Sequence, residues 1–294
     1  MQPSRTIDPN PLDNASDFQE PFYQRFQLRH APAPLQLSDT IAKNYLFPTF
    51  YGDVTCAQAI FLCPWDKAQR LLPHPKLQPV RMPGGRALVA FSCYIYRKVL
   101  GVLPYNEIAM TIPVLVDPSL PVPLLPMLWP GYPGFGYHVF SMPVTSLENQ
   151  LRGLRIWGLP KVVQDIDIRA QGRDCITTAL DDDSKPYFTL RVPTTGKPTQ
   201  FDESAHLYSR LGPDLLQSRT AFQGEFHVHK RMDLLWKRGV QPETPYLTLG
   251  DSPAADALRS LELEPQAFQT RYAPRIQACF DLPNPQYRQP FRFD

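Results

Sequence analysis

The chain has 294 residues, 43% hydrophobic and 20% charged, which is enough to bury a core of ordinary size. Its 30 basic and 28 acidic residues contain no basic run, so nucleic acid is not expected as a partner. The five cysteines are scattered, and prolines break the most apolar stretch, 112–129, so the sequence indicates no disulfide framework, zinc site or membrane-spanning segment.

The N-terminal 45 residues differ in character from the rest of the chain. They are polar and carry mixed charges without a sustained period, which predicts an extension that wraps the surface or is partly disordered. No apolar segment typical of a secretory signal precedes Asn14, so a reducing, cytoplasmic location is expected. Residues 46–294 contain no convincing linker and are interpreted as one domain.

Short strands dominate the elements predicted from residue 51 onward. The 53–62 segment reads as a strand, and Trp65 to Leu72 as a short helix that Pro73 closes. Residues 86–96 and 105–116 are apolar and aromatic enough for two further, largely buried strands. The proline-dense segment 118–133 lacks too many backbone donors for a central strand or a helix interior, so we predict a long, stiff loop.

The second half of the chain continues the pattern of strands between Gly, Pro and Asp turns. Strands are predicted at 136–144, 162–169, 175–180, 187–192 and 225–229. Helices are predicted at Leu147–Arg152, around 203–210, and after Ser252, where Pro253 suits the first helical position. The prediction is a β-rich α+β domain with mostly antiparallel sheet.

One lysine follows a bulky apolar turn in the heptapeptide Arg155-Ile156-Trp157-Gly158-Leu159-Pro160-Lys161. An amine held against apolar surroundings loses hydration of its charged form, so its pKa falls and a neutral, nucleophilic amine becomes available. Such a lysine can form a Schiff base. Taken alone, the heptapeptide is equally compatible with a solvated turn lysine, the commoner situation for this residue.

A second segment, Tyr105-Asn106-Glu107, opens a predicted strand upstream. Together the two segments resemble the acetoacetate decarboxylase family, in which a Tyr-x-Glu motif precedes an Ile-Trp-Gly-Phe-Pro-Lys motif. The resemblance runs from about Phe61 to Asp281 and implies a barrel or cone of mostly antiparallel strands closed around an apolar pocket. It also implies that Lys161 is the Schiff-base lysine and Glu107 the acid/base group beside it.

The chain departs from the family pattern at three places. The family has a second lysine directly after the first, where this chain has Val162. It also has an arginine on the strand before the first helix, where this chain reads Phe61-Leu62-Cys63, and a further carboxylate near the position of Ser92. Arg97 and Lys98 are candidates for a replacement cation, although a solvated loop pair explains them as well.

Further pocket candidates rest on weaker signals. Tyr105, Ser92, Arg97, Tyr137, Trp157 and Val162 are predicted to line the substrate pocket. Tyr132 and Phe135 are aromatic candidates that core or loop packing explains equally well. His227 and His229 share a strand face without a clear third ligand, so no metal is predicted, and the glycine pairs lack the context of a cofactor-binding loop.

The sequence therefore predicts a cofactor-independent lyase or aldolase-type enzyme that acts on a small ketone or keto acid through Lys161, with Glu107 as acid/base. The missing charges leave open a non-catalytic binding or pathway-accessory protein on the same fold. An acetoacetate decarboxylase proper is the third reading. Neither a membrane nor nucleic acid is expected as a partner, and a homo-oligomer is expected, as for most such enzymes.

Overall fold

The computed structural model describes residues 3–10, 12–118, 122–129 and 131–290. Its strands are β1 (Arg29–His30), β2 (Leu35–Gln36), β3 (Ala42–Lys43), β4 (Leu46–Phe47), β5 (Thr49–Pro64), β6 (Leu77–Pro79), β7 (Arg86–Val99), β8 (Tyr105–Val116), β9 (Phe135–Val144), β10 (Lys161–Val163), β11 (Ile166–Gln171), β12 (Asp174–Leu180), β13 (Pro186–Pro193), β14 (Lys197–Leu211), β15 (Asp214–Lys230), β16 (Leu247–Leu249) and β17 (Gln269–Pro290). Helices α1 (Trp65–Gln69), α2 (Leu125–Leu128), α3 (Leu147–Arg152) and α4 (Pro253–Arg259) are short, as the proline content predicts. A π-helical turn covers Gly153–Trp157, and 3-10 turns cover Ala15–Asp17, Tyr23–Arg25 and Met232–Leu235.

Seven strands close into a barrel in the order β9-β14-β15-β17-β5-β7-β8, where β8 pairs again with β9. Every neighbouring pair in this ring is antiparallel except β9 with β14. The short β10 continues the sheet beside β9 in parallel, with Lys161 opposite Met142. The predicted β-rich α+β barrel with mostly antiparallel strands is thus confirmed.

The wall of the barrel has two different faces, because successive side chains of a strand point to opposite sides. On β7, Phe91 and Cys93 belong to the core between the barrel and a second sheet of order β11-β12-β13-β16. Phe91 meets Phe188 of β13 edge to face, with ring centroids 5.4 Å apart. The alternate residues Ser92 and Tyr94 face the barrel interior, which is hollow.

The N-terminal segment packs against the barrel through buried aromatic side chains. Phe18, Phe22 and Tyr23 form a cluster with Phe50 of β5. Further along, Lys43 of β3 makes a buried ion pair with Glu148 of α3, at 3.0 Å. This segment therefore contributes contacts to the same helix that precedes Lys161.

Most predicted elements are confirmed, and the misses have physical reasons. The strands at 86–96, 105–116 and 136–144 and the helices at Leu147–Arg152 and after Ser252 are present. The prediction of a helix around 203–210 is wrong, since these residues belong to strand β14. Its burial alternates with a period of two along the strand, which its helix-compatible residues concealed.

Three other segments differ from the predictions. The predicted strand at 162–169 is two strands, β10 and β11. The long β17 was not predicted, because its pairing with β15 and β5 depends on distant segments. The segment 118–133 contains the single-turn α2, which accepts Pro126 in its first turn, while residues 119–121 and 130 lie outside the described residues. No helix of the described chain has the length and apolar character to cross a membrane.

Candidate active site

The interior of the barrel is a cavity of about 1020 Å³. Its wall carries aromatic and apolar side chains from every barrel strand, with few charged groups among them. Such a concave, mostly apolar space with a few convergent polar groups is the usual form of a small-molecule site. Both Lys161 and Glu107 line it.

The turn before Lys161 is held in place by its own side chains and backbone. Ser146 directly precedes helix α3 and caps it, because its hydroxyl accepts a hydrogen bond from the Asn149 backbone N–H. The π-helical turn ends at Gly158, whose φ of +63° lies in the left-handed region. A Cβ at Gly158 would collide with the Arg210 carbonyl oxygen. Trp157 anchors the turn by stacking on Phe280, with centroids 4.8 Å apart.

Lys161 and Glu107 meet inside the cavity. The Lys161 Nζ lies 2.5 Å from the Glu107 Oε2, and the two residues are only 7% and 4% exposed. The other carboxylate oxygen of Glu107 accepts a hydrogen bond from the Tyr96 hydroxyl at 3.2 Å. The Lys161 amine also lies 5.6 Å from the centre of the Tyr105 ring. One carboxylate oxygen of Glu107 thus contacts the Lys161 amine, and the other accepts from the Tyr96 phenol.

Burial lowers the pKa of Lys161 below its usual range, because removing the ammonium from water disfavours the charged form. The Glu107 carboxylate opposes this effect, and the Arg152 guanidinium adds to it. Burial also raises the pKa of Tyr96 and Tyr105 well above the usual phenol value, with the Glu107 charge as a further cause. Both phenols therefore stay protonated at neutral pH.

Arg152 is a buried cation near Lys161 that the sequence interpretation missed. It ends α3, is 2% exposed, and lines the cavity. Its guanidinium donates to the neutral acceptors Asn149 Oδ1 at 3.0 Å and Thr49 Oγ1 at 2.9 Å, and it lies over the Tyr45 ring at 4.4 Å. Its Nε is buried without a partner, and Arg152 makes no ion pair within the described part of the chain.

The buried charges around Lys161 do not balance if all are ionised. Lys43, Arg152 and Lys161 are the cations, and Glu148 and Glu107 the carboxylates, which leaves one positive charge in excess. Arginine does not lose its proton in proteins, both lysines are paired with a carboxylate, and burial lowers the pKa of Lys161. Lys161 is therefore the group whose deprotonation most directly removes the excess charge.

Replacing Arg152 with methionine is expected to raise the pKa of Lys161, because a neighbouring cation disfavours the ammonium. The pH midpoint of imine formation, followed by borohydride trapping of a ketone, should move to higher pH. The matched control is Arg155→Met, which removes an exposed arginine from the next turn. A midpoint that stays in place or falls in Arg152→Met would contradict this electrostatic assignment.

Gly153 lies directly against the Lys161 side chain. Its helical φ of −59° and ψ of −48° suit alanine, but an added Cβ would lie 2.7 Å from Lys161 Cε and 2.9 Å from Cγ. Gly153→Ala should therefore displace the amine and slow its trapping by about 10- to 100-fold. Leu154→Ala, at the neighbouring exposed position, is the control. Trapping at the wild-type rate in Gly153→Ala would show that the lysine relaxes freely.

The structure brings some of the predicted pocket residues together and separates others. Ser92, Tyr137 and Trp157 line the cavity, and Tyr105 packs beside the Lys161 amine. Ser92 accepts a hydrogen bond from Gln58 at 2.7 Å. Of the weaker aromatic candidates, Tyr132 and Phe135 also line the cavity.

Val162 and Arg97, expected in the pocket, lie elsewhere. The Val162 side chain is 44% exposed, because it follows Lys161 on a strand and points to the opposite face. Arg97 is an exposed residue that donates to Thr55 Oγ1 at 2.9 Å and lies near Asp53. Lys98 reaches the N-terminal segment at the Asp17 carbonyl. Neither member of the 97–98 pair supplies a cation to the cavity.

Many cavity residues escaped the sequence interpretation, among them Tyr96, Arg152, Glu203 and Arg271. Arginine and glutamate are mostly exposed, so nothing in their local sequence indicates burial. The one available signal was the alternation on β7, which places Tyr96 on the same face as Ser92.

Comparison with known proteins shows that the chain shares its fold with several solved structures. It aligns with a solved structure described as an acetoacetate decarboxylase from Legionella pneumophila at a TM-score of 0.58 and 14% identity, covering 86% of this chain and 91% of that one. Another acetoacetate decarboxylase structure gives 0.54 and 12%, covering 83% and 89%. The enduracididine biosynthesis enzyme MppR, complexed with the condensation product of pyruvate and imidazole 4-carboxaldehyde, gives 0.50 and 13%, covering 80% and 87%.

No curated protein matches the sequence. The family model described as acetoacetate decarboxylase (ADC) matches residues 32–272. This range includes every cavity residue discussed above except Phe280 of β17. Together with the closed barrel, this match shows that the chain belongs to the acetoacetate decarboxylase family.

Proposed function

We propose that the protein is a lyase or aldolase-type enzyme that forms a Schiff base between Lys161 and a ketone or keto acid. The observation that carries the proposal is the 2.5 Å contact between the Lys161 amine and the Glu107 carboxylate, both buried in one cavity. A nucleophilic amine and an acid/base group within hydrogen-bond reach are the two groups that imine chemistry needs.

The first steps follow from this pair. The neutral Lys161 amine adds to the substrate carbonyl carbon, and the carbonyl oxygen takes up the proton that the nitrogen loses, which gives the hydroxyl of a carbinolamine. Glu107, in its protonated form, donates a proton to that hydroxyl, which leaves as water. The product is a protonated imine, whose positive charge draws electrons from the neighbouring bond.

Glu107 is then a carboxylate beside the carbon next to the imine. It can remove a proton from that carbon to give an enamine, which attacks an aldehyde or takes a proton back. Tyr96 donates to Glu107 from the opposite side and fixes the direction of the carboxylate. Addition of water to the imine finally reverses the first steps and frees Lys161.

Two reaction outcomes can follow from the same imine. The structure of MppR, on a similar fold, is a complex with a condensation product, which favours aldol or dehydration chemistry as a model for this chain. Loss of carbon dioxide from a β-keto acid is the second candidate. It draws support from Arg152, a buried cation near Lys161 that could hold a carboxylate.

The decisive experiment is borohydride reduction of the protein mixed with a panel of ketones, aldehydes and keto acids. Peptide mass spectrometry should find a reduced adduct on Lys161 with at least one of them. If no carbonyl compound modifies Lys161, the accessory-protein reading replaces this proposal. Carbon dioxide release and carbon–carbon bond formation, assayed on the compounds that trap, then distinguish the two reaction outcomes.

A further inference from the structure

We propose that Arg271, on the wall of the same cavity, binds a carboxylate at the far end of the substrate. The substrate would then be an extended carbonyl compound whose acidic group is remote from the carbon that Lys161 attacks. This inference rests on the proposed function and narrows it to a class of substrate.

The first support is the state of the Arg271 guanidinium. It lies over the Phe201 ring, with its central carbon 4.9 Å from the ring centre. Its Nε is buried without a hydrogen-bond partner, and Arg271 forms no ion pair with any carboxylate of the described residues. A stacked guanidinium with unused donors is well suited to take a carboxylate in a bidentate contact.

The second support is the place of Arg271 in the barrel. On β17 it pairs with Gln58 of β5, which pairs with Ser92 of β7, which pairs with Ala109 of β8. All four residues line the cavity. Glu107, two residues before Ala109, lies on the same face of β8. Three strand spacings separate β17 from β8, about 14 Å along the wall. Arg271 and the Lys161 pair therefore face a common space from separate parts of the wall.

The third support is the size of that space. At about 1020 Å³, the cavity is at the upper end of pockets that hold drug-sized ligands. A four-carbon keto acid would leave most of it empty. The aromatic rings of Tyr94, Tyr137 and Phe201 on the wall suit an apolar or aromatic middle section of a longer ligand.

One acidic group lies on the same part of the wall. Glu203 of β14 lines the cavity, and its charge and that of Arg271 both act on Tyr137. Glu203 forms no ion pair with Arg271 at 4.0 Å or less. Its charge would weaken carboxylate binding, so Glu203→Gln should strengthen it, in the opposite direction to loss of Arg271.

The test compares keto acids with neutral ketones of equal length. The probes are 4-oxopentanoate, 6-oxoheptanoate and 8-oxononanoate. Each is compared with the methyl ketone of the same chain length that lacks the carboxylate. The readout is the concentration for half-maximal borohydride trapping on Lys161. At least one of the two longer acids should trap at roughly tenfold or more lower concentration than its ketone. Arg271→Gln should remove this preference, and Arg271→Lys should restore part of it.

Controls separate this inference from the proposed function. Arg275→Gln removes an exposed arginine from the same strand and should leave the preference unchanged. Calorimetry with octanoate and 1-octanol, which cannot form an imine, reports on Arg271 even if Lys161 traps nothing. The inference is overturned if octanoate binds equally to wild type and Arg271→Gln. It is also overturned if Arg152→Met, rather than Arg271→Gln, removes the preference for the acid.

Discussion

Replacing Lys161 with arginine should abolish both turnover and borohydride trapping while leaving the fold intact. Arginine keeps a cation beside Glu107, so the buried carboxylate is not left without a partner. It does not become a neutral nucleophile in proteins, because its proton is not lost at accessible pH. The expected loss of turnover is at least about 10⁴-fold, the scale seen when a covalent nucleophile is removed.

The measurement is the single-turnover rate with a substrate found by trapping, together with the mass of the borohydride-reduced protein. Lys98→Arg is the matched control, since it makes the same change at a lysine that reaches the N-terminal segment instead of the cavity. A persisting adduct in Lys161→Arg would assign the imine to another lysine. Unchanged turnover without any adduct would remove imine chemistry from the proposal altogether.

Glu107→Gln should separate imine formation from turnover. The carboxylate favours the ammonium form of Lys161, so its loss should lower the pKa of the lysine further. More neutral amine is then present at neutral pH, and the pH midpoint of trapping moves down, opposite to Arg152→Met. Glutamine cannot exchange protons with the carbinolamine or the enamine, so turnover should fall by about 10²- to 10⁴-fold.

A variant that still yields an adduct on Lys161 but no longer turns over would show this separation directly. The control is Glu225→Gln, at an exposed carboxylate on β15 that accepts from Gln200. If Glu107→Gln turns over at the wild-type rate, Glu107 is not the acid/base group. If its trapping midpoint moves to higher pH, the electrostatic relation between the two residues is the reverse of the one we describe.

Local signals were sufficient where a segment carries its own structural information. The apolar and aromatic content of 86–96 and 105–116 predicted β7 and β8, and Ser252 before Pro253 predicted the start of α4. The apolar turn alone left the burial of Lys161 open. The resemblance carried by Tyr105-Asn106-Glu107 favoured it, and the lysine is 7% exposed. For the two strands and the helix start, the signal lies in the residues of the segment itself.

Local signals failed where the decisive partner is distant in sequence. Residues around 203–210 are compatible with a helix, but pairing with β15 makes them a strand. The substitution at Val162 looked like the loss of an active-site charge, yet that side chain faces away from the cavity. The pairing of β10 with β9 decides this orientation, and it joins residues about twenty positions apart.

By itself, the sequence determined that Lys161 follows a bulky apolar turn, that Tyr105-Asn106-Glu107 opens a strand, and that the chain is rich in strands. The predicted short length is wrong for the barrel strands, which reach 22 residues in β17. Only the tertiary structure decided which charges share the cavity. Arg152 and Arg271 are ordinary arginines in sequence, and the fold brings both to the cavity, Arg152 from the end of α3 and Arg271 from β17. The physical reason is that burial of a long polar side chain depends on what the rest of the chain packs around it, which no local pattern records.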